Sequence, residues 1–191
     1  MAEGNQYGGA GGNRYSFIYA GDANGDGVSG NDLIYIPRSI SDANLVEYQE
    51  GINGPVHTVE EQWAGLDAFI KQDKYLSKHR GEIAERAGEV NPWYSHVDLR
   101  ILQDIGLYSG AKKHALQLSV DVLNVGNLLN SDWGVRQVAN PLALSPIGVV
   151  PGNASVDPKF IFGGAPKSTF SNDPGDLSRW KVQLGLRYFF N

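Results

Sequence analysis

The run Asp22-Ala23-Asn24-Gly25-Asp26-Gly27-Val28-Ser29-Gly30-Asn31-Asp32 holds the best ligand chemistry of the chain. Oxygen-bearing side chains stand at its first, third and fifth positions, Asp22, Asn24 and Asp26, and Gly27 follows at the sixth. That is the opening of an EF-hand-type calcium loop, in which the glycine permits the sharp turn that brings the carboxylates onto one ion. Val28 would offer its carbonyl at the seventh position. The closing acid, Asp32, arrives one residue early, because Leu33 holds the twelfth position, and no helix is evident after it. The expected calcium ligands are therefore Asp22, Asn24, Asp26, Val28 and Asp32, and Ca2+ is the one cofactor the residues suggest. A plain Asn/Asp/Gly turn that binds nothing has the same composition.

Catalytic chemistry is not expected. His57, His79, His96 and His114 are dispersed, and none lies in a His-Glu-x-x-His pattern or beside a serine nucleophile motif. Asp98, Asp104 and Asp121 could approach one another across paired strands, but a row of carboxylates on a water-facing strand face accounts for them. The Gly8-Gly9-Ala10-Gly11-Gly12 run lacks the lysine of a phosphate loop and has no strand leading into it. A formal charge of −5 argues against a nucleic-acid partner, which requires a basic face. No cysteine is present, hence no disulfide framework and no thiolate ligand.

The elements that would position these groups are mainly strands. Residues 1–13 read as a Gly-rich loop, and Tyr15 to Ala20 and Leu33 to Pro37 as brief extended runs around the acidic loop. One helix is expected over 58–80: Thr58 and Glu61 form a capping-box pattern, Trp63, Leu66, Phe69 and Ile70 recur at helical spacing, and Gly81 ends it. Residues 14–94 thus form a segment of short strand, Asp/Asn/Gly loop and helix. From 95 to 191 the pattern becomes four longer strands, 95–105, 114–123, 132–138 and 179–190, joined as a meander. The loop 106–113 makes a hairpin, 124–130 a compact turn, and 140–178, rich in Pro, Gly, Ser and Asn, an exposed loop with a short strand near Phe160 to Phe162.

In the last strand Trp180, Val182, Leu184, Leu186, Tyr188 and Phe190 fall on one side. Lys181, Gln183, Gly185 and Arg187 fall on the other, with Phe189 the exception. The apolar side has the length of a tilted membrane-spanning strand, roughly 9–11 residues, with aromatics at both ends. In 114–123, Leu116, Leu118, Val120 and Val122 oppose Gln117, Ser119 and Asp121 in the same way. Mean hydropathy is −0.30 and no stretch of about 18 apolar residues exists, which excludes a spanning helix but not a barrel, where only alternate residues meet lipid. The opening residues lack the apolar core of a signal peptide, so a membrane destination implies that the chain is part of a longer one.

The tail resembles a known family. Asp121-Val122-Leu123-Asn124-Val125-Gly126-Asn127-Leu128-Leu129-Asn130 with Asp132-Trp133-Gly134, and the closing Arg179 to Phe190, look like the end of TonB-dependent outer-membrane receptors. Tyr19 to Gly27, Asn31 to Pro37, Lys78-His79-Arg80-Gly81 and Asn91-Pro92-Trp93 fit one subgroup, the Oar-like receptors with a carboxypeptidase-regulatory-like domain. The resemblance implies a mainly β chain that supplies the C-terminal antiparallel strands of a transmembrane β-barrel in a Gram-negative outer membrane. Its partners would be outer-membrane lipid, the remainder of the receptor barrel and plug, and a TonB-type energy-coupling complex reached through parts not in this chain. The implied role is uptake of an unidentified ligand. If the closing strand descends to the periplasm, counting back places 140–178 outside, 124–132 inside, 106–113 outside and 21–94 inside. Two other readings stay open: a soluble calcium-binding β-rich adhesion or carbohydrate-binding module, and an inactive truncated receptor fragment.

Overall fold

The computed structural model describes residues 13–109, 112–150 and 158–190, so the Gly-rich loop expected at 1–13 lies almost wholly outside the described residues. In chain order the strands are β1 (Arg14–Tyr15), β2 (Tyr48–Gln49), β3 (Val56–His57), β4 (Glu89–Val90), β5 (Leu99–Ser109), β6 (Lys112–Leu123), β7 (Gln137–Ala139), β8 (Gly148–Val149), β9 (Phe160–Ile161), β10 (Phe170–Asn172) and β11 (Lys181–Phe190). The helices are α1 (Val59–Gln72), α2 (Val125–Leu129) and α3 (Pro141–Leu144). The chain is mainly β with few helices, as expected. Its sheets, among the described residues, are small and open.

Two compact units emerge. The first joins residues up to Asn91 with Ala139–Ser171. Its core gathers Phe17, Ile34 and Ile36 with Leu66, Ile70 and Leu76, and with Leu144, Ile147 and Phe162 from the later segment. The segment 140–178 is therefore not simply an exposed loop. Asn140 caps α3 by accepting the Leu142 amide, and the backbone of Ile18 and Ala20 donates to Leu144 O (2.9 Å) and Ile147 O (2.8 Å). Gln62, buried on α1, holds two segments at once: its Nε2 donates to Val46 O at 2.8 Å and its Oε1 accepts from the Phe162 amide at 2.9 Å.

Helix α1 begins where the capping box places it, with the Thr58 hydroxyl accepting from Glu61 N and the Glu61 carboxylate accepting from Thr58 N. It buries Leu66, Phe69 and Ile70, as the spacing requires. It ends at Gln72, eight residues short of the expected 80. Asp73 stops it: the Asp73 Oδ1 accepts from the amides of Tyr75 (2.9 Å) and Leu76 (2.8 Å), an alternative to continued helix that Asp offers readily. A short 3-10 turn, Leu76–Lys78, follows. Arg80 then turns back to Asp67 on α1 at 2.6 Å.

The second unit comprises Pro92–Val138 and residues from Asn172 onward. Its centre is an antiparallel sheet in the order β11-β6-β5, with strands of 10, 12 and 11 residues. The first of these strands lies at 99–109 rather than 95–105, and β5 and β6 run on to Ser109 and Lys112, so most of the expected hairpin loop 106–113 is strand, and positions 110–111 lie outside the described residues. The four-strand meander is also corrected, because β11 pairs directly with β6, Lys181 opposite Leu123 and Phe190 opposite His114. Most of the expected strand 132–138 is turn. Asn130 Oδ1 accepts from Asp132 N at 2.9 Å, Gly134 has a φ of 60°, and the Asn124 side-chain Nδ2 donates to Gly134 O at 2.8 Å. These local bonds override a weak alternation, and only Gln137–Ala139 is extended. The stretch after Leu123 contains the short helix α2, with Asn124 in the left-handed region at φ 52°.

The register fixes the faces. Leu99, Ile101 and Ile105 share a side with Leu116, Val120 and Val122 and with Val182, Leu184, Leu186, Tyr188 and Phe190. Arg100, Asp104, Gln117, Ser119, Asp121, Gln183 and Arg187 share the other. At one end of the sheet stand Leu99, Leu123 and Lys181; at the other stand Ser109, Lys112 and Phe190.

Candidate functional site

The acidic loop lies in the first unit, between Gly21 and Asp32. Its base is closed by Gly30 N donating to Gly21 O at 2.8 Å and by Tyr19 N donating to Asp32 O at 2.9 Å. Positive φ values at Gly25 (77°), Gly27 (86°) and Gly30 (74°) make the tight course possible without strain. Asp22 accepts from Gly25 N at 2.7 Å through Oδ1 and from Gly27 N at 2.8 Å through Oδ2, so the sixth-position glycine folds back onto the first-position acid. Asp32 Oδ2 accepts from Ala23 N at 2.8 Å. Asp26 Oδ1 accepts from Val28 N at 2.8 Å, and that bond, with those from Asn24 and Asn31, holds the Asp26 carboxyl below the usual carboxylate range.

Four of the five predicted ligands, Asp22, Asn24, Asp26 and Asp32, thus join one hydrogen-bonded loop; Val28 contributes its amide. The Asn24 side-chain amide lies between two carboxylates, donating to Asp32 Oδ1 at 2.7 Å and to Asp26 Oδ2 at 3.2 Å. Among the described residues no three acidic or histidine groups converge in a metal-holding geometry. The carboxylate oxygens of Asp22, Asp26 and Asp32 are donors of the kind a hard cation takes, although the Asn24 amide nitrogen stands between two of them. One atom escaped the sequence reading: Asn31 donates to Asp26 Oδ2 at 3.3 Å, while its own Oδ1 is buried with no donor. A buried oxygen of this kind is an acceptor that a water or a cation could equally serve. Only the position of Asn31 beside the early Asp32 could have signalled it, since the EF-hand pattern does not read that place.

The second candidate surface is the polar face of the long sheet. Arg100 makes a forked ion pair with Asp121 on the neighbouring strand, the Nη2 to Oδ2 arm being 3.1 Å, and Gln117 Nε2 donates to Asp104 Oδ1 at 2.9 Å. The carboxylates Asp104 and Asp121 are therefore engaged across strands rather than paired with each other, and Asp98 instead accepts from the Asn124 amide at 2.8 Å. The four histidines stay apart. His79 Nδ1 bonds the Tyr75 carbonyl at 2.8 Å, and His57 stacks on Tyr48.

The opposite face is open. Leu184, Leu186 and Phe190 are 76%, 68% and 78% exposed, and Leu99, Ile101, Val182 and Tyr188 are exposed as well. No described helix is long and apolar enough to cross a membrane. Fold and site together define a mainly β chain with one long, two-faced antiparallel sheet and, in its other unit, an oxygen-rich loop. Comparison with protein families, with curated proteins and with solved structures finds no match for the chain.

Proposed function

We propose that the chain is the C-terminal β-barrel portion of an outer-membrane TonB-dependent receptor that takes up a ligand across a Gram-negative outer membrane. The observation that carries this reading is the long sheet, whose apolar face is left largely exposed by the chain's own residues while its other face is a network of paired polar and charged groups. Ten residues of strand rise about 33 Å. Tilted by roughly 40°, they span about 25 Å, the height of the apolar band of an outer-membrane barrel. A soluble sandwich would cover that face with a second sheet about 10 Å away. Strands β5 and β11 each pair only with β6 among the described residues, and a bilayer does not tolerate such open edges. The remainder of the barrel would supply the missing strands, and the plug and the energy-coupling segment would come from parts not in this chain.

The strand order changes the expected sidedness. With β11 beside β6, Ser109 and Lys112 stand at the same end as Phe190. If that end is periplasmic, β5 passes to β6 on the inner side, and the long segments before Leu99 and between Leu123 and Lys181 leave at the outer end. That matches the habit of short inner turns and long outer loops, and it moves 21–94 from the inner to the outer side. The acidic loop then faces the exterior, where calcium is abundant, and a calcium ion within it would serve the orphaned Asn31 Oδ1.

The test is to extract the protein from outer membranes with detergent and measure its full-length mass and its heat-modifiable gel mobility. Recovery from that fraction, at a mass that includes a plug and further strands, is expected. A monodisperse monomer that melts cooperatively in buffer without detergent would instead favour the soluble module.

A further inference from the structure

A groove of about 550 Å³ runs along the acidic loop within the first unit. We propose that it binds a neutral sugar, a mono- or disaccharide. The size falls within the range of small-ligand pockets. Its floor is aromatic: the Tyr19 and Phe160 rings stack with centroids 4.6 Å apart and 9° between planes, and Tyr35 lies beside them because its amide donates to the Tyr19 hydroxyl at 3.0 Å. One wall is the loop itself, through Asn24, Asn31 and Asp32. The other wall carries Arg86, with Ile83 brought in by its bridge to Tyr35.

The chemistry of these walls selects the ligand class. One carboxylate and one guanidinium face a common space with two amides, so neither sign of charge dominates and a neutral ligand fits best. Arg86 offers a planar fork of donors side by side, which suits adjacent hydroxyls on a sugar ring, and the Asp32 oxygens keep lone pairs beyond the bonds they accept from Ala23 and Asn24. The apolar C–H face of the same ring suits the aromatic and aliphatic floor. Arg86 is exposed and forms no ion pair or hydrogen bond among the described residues, so its donors are free for a ligand. The inference deepens the receptor reading by naming a substrate class for the outer side. It rests on that reading for the side of the membrane only, since groove and walls belong to one unit.

The experiment uses the full chain in detergent micelles, applied to an array of neutral mono- and disaccharides and then titrated by calorimetry with the sugar that binds best. At least one sugar should bind. Arg86→Ala and Ile83→Asp, both at exposed side chains, should each weaken binding tenfold or more with the melting temperature unchanged, while Lys74→Ala, away from the groove lining, should leave it intact. A folded chain that retains no sugar, binding that both variants leave unaltered, or Arg86-dependent capture of phosphate or an organic acid in place of sugars would each overturn the assignment. Recovery of the full-length protein from outer membranes, as described above, reads the barrel separately, so failure of the sugar site and failure of the receptor reading are distinguishable.

Discussion

Glu89 on β4 and Asp73 at the end of α1 are neighbouring acids, both buried, in the first unit. Asp73 is well supplied with donors: the Tyr75 and Leu76 amides serve one oxygen and the Thr169 hydroxyl the other. Glu89 accepts from its own neighbour, Val90 N, at 3.2 Å, and its Oε2 has no donor. Burial, then the charge of Asp73, pushes the Glu89 carboxyl from 4.5 up to about 7. The proton is therefore held on Glu89 to a higher pH than on a free carboxyl.

The sign of the pH effect follows. The folded state holds this proton more tightly than the unfolded one, so the stability it supports is complete below pH 4.5 and is lost as pH rises to about 7. The loss is about 3 kcal/mol at most, because each tenfold difference in proton affinity between the two states is worth about 1.4 kcal/mol. Glu89→Gln keeps the shape and cannot ionise. It should flatten the pH dependence and exceed the parent in stability at pH 8 by about 1–3 kcal/mol. Hydrogen exchange of the Leu76 and Ala84 amides at pH 5 and pH 8 measures it, and an unchanged slope in the variant would refute the raised proton affinity of Glu89.

Gly81 has a φ of 84°, and a Cβ built there would sit 1.9 Å from Arg38 Nε. Arg38 Nε itself donates to Arg80 O at 3.3 Å, and the Gly81 amide donates to Ile36 O at 2.6 Å. Gly81→Ala therefore adds left-handed strain of roughly 1–2 kcal/mol and displaces the Arg38 side chain. A loss of about 2 kcal/mol in denaturant unfolding of the first unit is expected. Loss of less than about 0.5 kcal/mol would show that the turn relaxes freely.

The loop can be read by calorimetry. Asp26 takes the Val28 amide and two asparagine side chains, all of which an amide oxygen could still accept in part, so Asp26→Asn preserves the turn while removing one charge. If calcium binds, its affinity should fall at least tenfold in the variant, since affinity in such loops follows the charge of the ligand set. Asn31→Ala, which removes the orphaned oxygen, should weaken binding too. Identical or absent heats in parent and variants would leave a turn without a metal.

These features differ in how far the chain's pattern announced them. The faces of β6 and β11 were legible because Leu116 to Val122 and Trp180 to Tyr188 alternate without a break, and only one register keeps Val182, Leu184 and Leu186 with Val122, Val120 and Leu118. The loop was legible as a tight turn because Asp, Asn and Gly cluster there, and Gly25, Gly27 and Gly30 do take positive φ. The end of α1 was not, since Asp73 competes for amides that periodicity does not weigh. Nor was the burial of Leu144, Ile147 and Phe162, because Pro and Gly around them suggest surface while their partners Phe17 and Leu66 lie far away in sequence. The direct pairing of β6 with β11 skips more than fifty residues, a choice set by tertiary structure rather than by any local signal.

Leu184 and Gln183 separate the membrane reading from its rival. They are consecutive in the middle of β11, equally part of the ladder, and opposite Val120 and Asp121 respectively. On a lipid-facing strand, lysine near the midplane costs about 2–4 kcal/mol, whereas on the water-facing side it is close to neutral. Leu184→Lys should therefore weaken folding into lipid vesicles by that amount, and Gln183→Lys, set beside the Asp121 carboxylate, should leave it nearly unchanged. In a soluble globule with no lipid contact the exposed Leu184 should tolerate lysine as readily as Gln183 does. Urea titration of both variants in vesicles, followed by gel mobility, distinguishes the cases. Equal costs at the two positions would mean that the apolar face does not meet acyl chains.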